Sequence, residues 1–135
     1  MDIFVVIPAY NEEKRIRQVL KDLSLLPYKI VVVDDASTDN TSEIVATYSN
    51  VALLRHKGNR DQGAALQTGN QYVLSKGADL IVHFDADGQF LSKEIADVIR
   101  PILEENYDIV FGSRFLDKKS DIPTLKKKVI FPLAR

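Results

Sequence analysis

Short apolar runs that alternate with amphipathic segments restrict the fold of this chain more than any other feature. Five mostly apolar runs have the length of strands, at residues 3–7, 30–33, 51–54, 80–84 and 109–111. Between them, apolar residues recur at helical spacing, as in Ile16, Val19, Leu20 and Leu23. Strands buried on both faces that alternate with helices indicate a parallel sheet covered on both sides. We therefore predict an α/β fold, a three-layer sandwich with a mostly parallel sheet.

Local signals predict where these elements begin and end. Pro8 is expected to end the first strand, and Asn11 to cap a helix that stops before Pro27. Asn40, with an acidic residue three positions later, resembles the start of a capping box. Ser92 is expected to cap a later helix, which Pro101 either kinks or divides.

The composition is that of an ordinary globular domain. The chain has 135 residues, 45% of them hydrophobic and 27% charged, and its formal net charge is −1. This balance gives no reason to expect nucleic acid as a partner. The absence of cysteine excludes disulfides and thiolate metal sites. With no secretory signal and no apolar run of about eighteen residues, the sequence predicts a soluble, cytoplasmic domain.

One acidic motif follows the fourth apolar run, and it reads Asp85-Ala86-Asp87-Gly88-Gln89. Two carboxylates two residues apart at a strand end point to the same side, where they repel each other unless a cation lies between them. Mg²⁺ or Mn²⁺ would suit these oxygen ligands, and Gly88 would allow a sharp turn. Turn formation by Asp and Gly alone would explain the same residues without any function.

Other polar clusters also follow predicted strands, where parallel sheets bind their ligands. Asp35 could accept hydrogen bonds from a base or ribose, or could simply belong to a turn. Tyr10 could lie on a nucleobase or cover the edge of the sheet. Arg114 could clamp a diphosphate with its planar guanidinium, or could be a solvated loop residue.

Three further positions were weighed as candidates. Gly63 opens a helix with small residues, which would let an anion approach the free N–H groups there; close helix–sheet packing explains it equally well. His83 is predicted to be a partly buried histidine with a hydrogen-bond partner rather than a metal ligand. No role is assigned to His56.

Four motifs in order resemble those of the family 2 glycosyltransferases. They are Ile7-Pro8-Ala9-Tyr10-Asn11-Glu12, Val32-Val33-Asp34-Asp35-Ala36-Ser37, Asp85-Ala86-Asp87-Gly88-Gln89 and Gly112-Ser113-Arg114-Phe115. Within that family the chain looks most similar to the dolichyl- and polyprenyl-phosphate sugar transferases. The resemblance covers nearly the whole chain and implies a GT-A nucleotide-sugar-binding fold.

The resemblance also implies an activity and a set of site residues. The activity is inverting transfer of a sugar from a UDP- or GDP-sugar to an acceptor, expected to be polyprenyl phosphate, in cell-envelope glycan synthesis at the cytoplasmic membrane face. Asp87 and Arg114 would be catalytic, and Asp85, Asp87 and Gln89 would hold Mg²⁺ or Mn²⁺. The nucleotide-sugar would lie against Pro8, Ala9, Tyr10, Glu12, Asp35, Gly63, Asp85 and Ala86.

The C-terminal part departs from the family pattern. We expect a GT-A domain over residues 1–116 and a basic tail over 117–135 that begins an acceptor-binding or membrane-proximal segment. Lys126-Lys127-Lys128 stands roughly where relatives present another arginine, and no downstream acidic base follows. Such a basic run could lie on an anionic membrane, although a solvated charged face explains it more simply.

Two other functional classes were considered. A non-catalytic or truncated nucleotide-sugar-binding module would share the donor site but lack the acceptor half. A phosphoacceptor receiver domain has a similar length and an Asp-Asp pair, but that pair should follow the first strand. Here Asp34 and Asp35 follow the second strand, so the receiver domain is disfavoured.

Overall fold

The structure is a computed structural model that describes residues 1–88 and 91–110. The chain divides into two compact units, residues 1–92 and the part from residue 93 onward. The first unit holds seven elements in this order: β1 (Ile3–Ala9), α1 (Ile16–Leu23), β2 (Lys29–Asp34), α2 (Thr41–Ala46), β3 (Val51–Arg55), α3 (Asp61–Ser75) and β4 (Leu80–His83). In the second, α4 (Ile95–Glu105) follows a short 3₁₀ turn, Ser92–Glu94. The predicted boundary at residue 116 lies outside the described residues.

The four strands form one parallel sheet in the order β3-β2-β1-β4. The chain first moves outward from β1 to β3 and then returns, through α3, to place β4 on the other side of β1. The connections therefore diverge between β1 and β4, and ligands of open α/β sheets bind at such a switch point, beyond the carboxyl ends of the strands.

Both faces of this sheet are buried, which explains why its strands are apolar throughout. On one face, Phe4, Val6 and Val33 pack with Ala65 and Val73 of α3. The alternate strand residues point to the opposite face. They are as fully buried as the first set. Right-handed crossovers place α1 and α2 on that opposite face, where the two helices contact each other and α2 contacts β2 and β3. The predicted α/β three-layer arrangement is confirmed.

Pro8 lies inside β1 rather than ending it, contrary to the sequence-based expectation. The Val6 carbonyl accepts from Phe84 N–H and the Ala9 carbonyl accepts from Asp35 N–H. By alternation Pro8 faces the β4 side, two residues beyond Val6, the last β1 residue paired with β4. The ladder needs no N–H there, so a proline fits this strand.

One predicted helix start differs from the structure, and a second lies where it was predicted but is capped differently. Asn11 does not cap α1, which begins at Ile16 after a turn built on the Glu12 carbonyl. Asn40 stands at the N-cap position of α2 but its side chain makes no capping bond. Asp39 accepts from the Thr41 N–H instead, at 2.9 Å. The Asn40 N–H, which Glu43 would bind in a capping box, donates instead to Oε2 of Glu13 at 3.1 Å. The predicted helix start is confirmed, but the capping box does not form.

The C-terminal elements were predicted only in part. Pro101 lies within α4, which continues through it as a single helix, and Ser92 belongs to the 3₁₀ turn that precedes it. Of the predicted fifth strand, Ile109 and Val110 are not in a strand, and Phe111 lies outside the described residues. Within residues 1–88 and 91–110, no helix is long and apolar enough to cross a membrane.

His83 at the end of β4 is a partly buried histidine with a partner, as predicted. Its Nε2 lies 2.8 Å from Oδ1 of Asn70 on α3. Burial lowers the pKa of His83 below its ordinary value of 6.5, because the charged imidazolium loses water there.

Gly69 fixes how closely α3 approaches the sheet. A Cβ added there would lie 2.3 Å from Cγ1 of Val6 and 3.2 Å from Cγ2 of Val33. Both valines are fully buried and β-branched, so neither can swing aside. We expect Gly69→Ala to lower the free energy of unfolding by about 1–3 kcal/mol, measured by urea denaturation.

Gly63→Ala is the matched control, because it is the same substitution in the same helix. At Gly63 the nearest atom to an added Cβ is Oδ1 of Asp61, at an ordinary 3.4 Å. Alanine is the better helix former, so this variant should be unchanged or stabilised by up to about 1 kcal/mol. Equal effects at the two positions would contradict the close packing of α3.

The lowered pKa of His83 predicts a stability change with pH. The folded state resists protonation of His83, so stability is complete above the ordinary pKa of 6.5 and is lost as the pH falls below it. His83→Gln keeps a donor for Asn70 but does not titrate. The difference in unfolding free energy between this variant and wild type should therefore shift in favour of the variant from pH 7 to pH 5. A constant difference would show that burial does not disfavour the charged ring.

Candidate functional site

The loops that follow the four strands share one edge of the sheet, and each contains a residue with positive φ. These residues are Asn11 (φ 52°), Ala36 (64°), Asp61 (79°) and Gly88 (79°). Only glycine adopts this region without cost; for the other three it is strained by up to about 1–2 kcal/mol. Strain of this kind persists where surrounding contacts hold the backbone, and it concentrates at functional sites.

Asp35, just after β2, accepts three hydrogen bonds from described residues. Its Oδ1 accepts from the Arg60 N–H at 2.8 Å and lies 2.7 Å from Nδ1 of His56. Its Oδ2 accepts from the Asp61 N–H at 2.9 Å. The carboxylate thus binds two N–H groups at the start of α3, where free donors and the helix dipole favour an anion.

Burial by itself would raise the pKa of Asp35, but its hydrogen bonds outweigh burial. The His56 ring and the backbone N–H groups of Arg60 and Asp61 together hold that pKa below its ordinary value of 3.8. Asp35 is therefore an ionised, acceptor-only group at neutral pH, as a contact to an N–H of a base would require.

His56 was given no role from the sequence, yet it is buried next to Asp35. Its second ring nitrogen, Nε2, lies 2.8 Å from Oγ1 of Thr68 on α3. The side chain is 7% exposed and the Asp35 side chain 5% exposed. The only sequence signal was a histidine directly after an apolar strand, which is too weak to indicate a partner 21 residues away.

The loop after β1 is bound to the loop after β2 by side-chain contacts to backbone groups. The Asn11 side-chain oxygen accepts from the Thr38 N–H at 2.8 Å, and the Asn11 N–H donates to Oγ of Ser37 at 2.9 Å. The Glu12 N–H donates to Oγ1 of Thr41 at 2.8 Å. Asn11 therefore stabilises the loop connection instead of a helix start, which accounts for the wrong capping prediction.

Asp34 has a structural role. It is fully buried, and its Oδ1 accepts from both the backbone and the hydroxyl of Ser37. Its Oδ2 forms an ion pair with Nε of Arg55 at 3.4 Å, without a hydrogen bond. The two neighbouring aspartates thus have different roles. Asp34 closes the turn after β2, and Asp35 binds the start of α3.

An excess of negative charge gathers around Glu12, between the ends of β1 and β4. Burial raises the pKa of Glu12 above its ordinary value of 4.5, and Arg15 opposes that rise. The carboxylates of Asp87, Asp39 and Asp85 raise it further. The structure therefore brings the predicted residues Glu12, Asp85 and Asp87 into one electrostatic environment. A cation would relieve their mutual repulsion.

The Asp85–Gly88 turn is held from two sides. Asp85 is 5% exposed, and its Oδ1 accepts from Nε2 of Gln62, in the first turn of α3, at 3.2 Å. Gly88 has the positive φ expected for a sharp turn, and Cδ of Arg15 lies 3.9 Å from where its Cβ would be. Sequence reasoning missed Gln62, which no motif marks.

The oxygens of Asp85 and Asp87 are hard donors of the kind that Mg²⁺ and Mn²⁺ prefer. Among residues 1–88 and 91–110, no three histidine or carboxylate side chains form a ready metal site. The carboxylates that raise the pKa of Glu12 would attract a cation. Two carboxylates together with substrate phosphates form a common Mg²⁺ ligand set.

The remaining predicted residues fall into three groups. Pro8, Ala9 and Ala86 are buried, so they offer little more than backbone to a ligand. Tyr10 keeps 46% of its surface exposed, and Gly63 is exposed in the first turn of α3. Gln89 and Arg114 lie outside the described residues.

Comparison with known sequences identifies the class. The sequence profile described as "Glycosyl transferase family 2" matches residues 4–131. The chain belongs to the family 2 glycosyltransferases, as the four ordered motifs predicted.

Three individual relatives show which members of the family this chain is similar to. A UDP-N-acetylglucosamine–dolichyl-phosphate N-acetylglucosaminyltransferase of Methanococcus voltae is 37% identical, over 93% of this chain and 57% of its own length. A dolichyl-phosphate beta-glucosyltransferase of Dictyostelium discoideum is 33% identical, over 82% and 39%. An uncharacterised protein of Methanocaldococcus jannaschii is 47% identical, over 93% and 53%. The chain spans about half the length of the curated relatives it matches.

Solved structures confirm the GT-A type of nucleotide-sugar transferase fold. Mannosyl-3-phosphoglycerate synthase from Rubrobacter xylanophilus superposes with a TM-score of 0.67 at 20% identity, covering 82% of this chain and 38% of that one. A 4-diphosphocytidyl-2C-methyl-D-erythritol synthase gives a TM-score of 0.65 at 16% identity, covering 82% and 58%. At these identities the likeness concerns the fold alone.

Proposed function

We propose that this domain binds a UDP- or GDP-sugar together with a divalent cation and transfers the sugar, with inversion, to polyprenyl phosphate. The observation that carries the proposal is the convergence of Glu12, Asp85 and Asp87 at the switch point of the sheet, in a family 2 chain. Repelling carboxylates in a partly buried place are unfavourable for stability alone. They are useful where a cation and a diphosphate must be held.

The nucleoside would lie along the ends of β1 and β2. The exposed ring of Tyr10 is available to stack on a base, and Pro8 and Ala9 are buried beneath the start of that loop. Asp35 accepts three hydrogen bonds from described residues, which leaves its Oδ2 with capacity for one more donor. A ring N–H of uracil or guanine would supply that donor, whereas cytosine has no ring N–H at the corresponding position.

The diphosphate would lie between the ends of β1 and β4, near the start of α3. Asp85 and Asp87, with Gln89, would hold the cation, which supplies charge stabilisation for the departing nucleoside diphosphate. Gln62 keeps Asp85 in place, and Gly63 leaves the first turn of α3 open to the approach of a phosphate. Arg114 is proposed to add positive charge on the phosphates.

The proposed acceptor is a phosphate oxygen of a polyprenyl phosphate, which attacks the anomeric carbon as the bond to the diphosphate breaks. An ionised phosphate is already a nucleophile, so the reaction needs no strong protein base. The names of the Methanococcus and Dictyostelium relatives, both dolichyl-phosphate sugar transferases, support this acceptor. Contact of the Lys126-Lys127-Lys128 segment with an anionic cytoplasmic membrane face, in cell-envelope glycan synthesis, belongs to the same proposal.

A second candidate function is nucleotide-sugar binding without transfer. It is favoured by the contacts of Asp35 and Asp85, which account for a donor site and require no acceptor. Both candidates share the donor site. Incubation with a radiolabelled nucleotide-sugar and a polyprenyl phosphate separates them, because only the first yields a glycolipid.

The donor site is tested by calorimetric titration of the 135-residue chain with UDP-glucose, UDP-N-acetylglucosamine and GDP-mannose. Titrations are run with Mn²⁺ and then with EDTA. We expect one donor to bind with Mn²⁺. Its affinity should fall at least about tenfold with EDTA, which removes the cation, and in Asp87→Asn, which removes a carboxylate ligand to it.

Asp22→Asn is the matched control for Asp87→Asn. Asp22 lies on the exposed face of α1, and its side chain accepts from Gln18 at 2.8 Å. The control should bind like wild type. Donor binding that survives both EDTA and Asp87→Asn would contradict the proposed cation site, and no binding of any donor would contradict the proposed function.

Tyr10 supplies a separate prediction for the nucleoside. Tyr10→Ala removes the exposed ring and should weaken UDP or GDP binding by about 1–3 kcal/mol, the contribution of one base stacked on an aromatic ring. Tyr10→Phe keeps the ring and should bind nearly as wild type does. Competition titrations against the tightest-binding donor measure both. Equal binding by Tyr10→Ala and wild type would remove the ring from the base site.

A further inference from the structure

We propose that His56 and Thr68 are positioning residues for nucleobase selection, acting through the carboxylate of Asp35. The inference rests on the proposed function, because it assumes that Asp35 faces the base. It adds two side chains that the motifs of the sequence do not mark.

The chain of contacts runs from α3 to the ligand edge of the sheet. Thr68 Oγ1 lies 2.8 Å from Nε2 of His56, and Nδ1 of the same ring lies 2.7 Å from Oδ1 of Asp35. An ionised carboxylate can only accept, so Nδ1 carries the proton in this contact. Thr68 bonds the opposite nitrogen and thereby fixes the plane of the ring.

These contacts fill the acceptor positions of one carboxylate oxygen of Asp35 and leave one position on the other oxygen. Oδ1 takes both the His56 ring and the Arg60 N–H, whereas Oδ2 takes only the Asp61 N–H. With two lone pairs on each oxygen, the described residues leave Oδ2 with the remaining acceptor position. The ring therefore determines which oxygen of Asp35 is available to a ligand.

Stability alone does not explain this arrangement well. A buried polar chain costs desolvation, and apolar side chains of similar size often stabilise a core at least as well. Asp61 also adopts a φ of 79°, a strained conformation for a non-glycine residue, with its N–H donating to Oδ2. A carboxylate that is oriented from three sides at the ligand edge is expected where a single donor must be recognised.

The expected consequence concerns selectivity more than affinity for phosphate. A fixed acceptor favours UDP and GDP, whose bases carry a ring N–H, over CDP, whose base offers its 4-amino group at a different position instead. If the ring is removed, Asp35 can turn or gain water on Oδ1, so its preference for a donor weakens. Contacts to the diphosphate at the ends of β1 and β4 involve neither His56 nor Thr68. Asp35 still accepts from the Arg60 and Asp61 N–H groups when His56 is replaced, so these contacts should change less.

The test compares three variants, His56→Ala, His56→Asn and Thr68→Val, with wild type. UDP, GDP, CDP and inorganic pyrophosphate are titrated separately in the presence of Mn²⁺. His56→Ala should reduce the preference for the favoured nucleotide over CDP by about tenfold, the loss expected for one hydrogen bond to a charged group. Pyrophosphate binding should change by less than about twofold, because the start of α3 stays bound to Asp35 through the Arg60 and Asp61 N–H groups.

His56→Asn and Thr68→Val separate the contribution of the donor at residue 56 from that of Thr68. His56→Asn keeps a donor near Oδ1 and should restore part of the preference, while Thr68→Val should lose part of it with the imidazole still present. His83→Asn is the matched control, because His83 is also partly buried and bonds Asn70 on the same helix. It should leave the preference unchanged. Thermal melts keep every titration at a temperature where the variant is folded.

The two proposals fail in different ways. If wild type binds none of the nucleotides, the proposed function is wrong and the role of His56 falls with it. If wild type discriminates and both His56→Ala and Thr68→Val, when folded, discriminate equally well, only the positioning role is overturned. A loss of preference in His83→Asn as large as in His56→Ala would also overturn it, because the effect would then be general.

Discussion

The ligand edge of this domain depends on one carboxylate, that of Asp35. It follows β2 directly and binds the backbone of Arg60 and Asp61, where α3 begins, and the ring of His56, which follows β3. These contacts connect the end of β2 with residues 56–61, which follow β3 and lie 21 to 26 positions further along the chain. Because hydrogen bonds to an anion are stronger than those between neutral groups, the start of α3 is held firmly relative to the sheet. Gln62, in the same turn of α3, then reaches Asp85.

Residues at the start of α3 therefore contact both halves of the proposed donor site. On the β2 side it orients an acceptor for a base, and on the β4 side it supports a carboxylate of the proposed cation site. Close packing of this helix on β1 and β2 at Gly69 gives it a fixed depth. The glycine thus acts on the site indirectly, since a helix lifted from the sheet would carry the N–H groups of Arg60 and Asp61 away from Asp35.

The sequence predicted the layers, the parallel sheet and the edge that its first three motifs share, because burial on both faces leaves a clear apolar pattern. The fourth motif lies outside the described residues. Prediction from the sequence failed where polar side chains competed for the same backbone groups. Asn11 and Asn40 both match capping patterns, but the Asn11 side chain accepts from the Thr38 N–H of the neighbouring loop, and Glu13 accepts from the Asn40 N–H. His56 and Gln62 could not be found, because their partners are 21 and 23 residues away and no local pattern encodes such pairs.

Backbone strain and repulsion between carboxylates at this edge both lower the stability of the folded domain. Asn11, Ala36 and Asp61 adopt a backbone conformation that disfavours side chains, and Glu12 lies among carboxylates that raise its pKa. Each feature costs stability, and the buried apolar sheet below supplies the stability that tolerates it. A ligand that brings a cation and a hydrogen-bond donor would relieve the repulsion and satisfy Asp35 without moving the backbone. Under the proposed function the domain is arranged in advance for its ligand, so binding does not include the free-energy cost of ordering the loops.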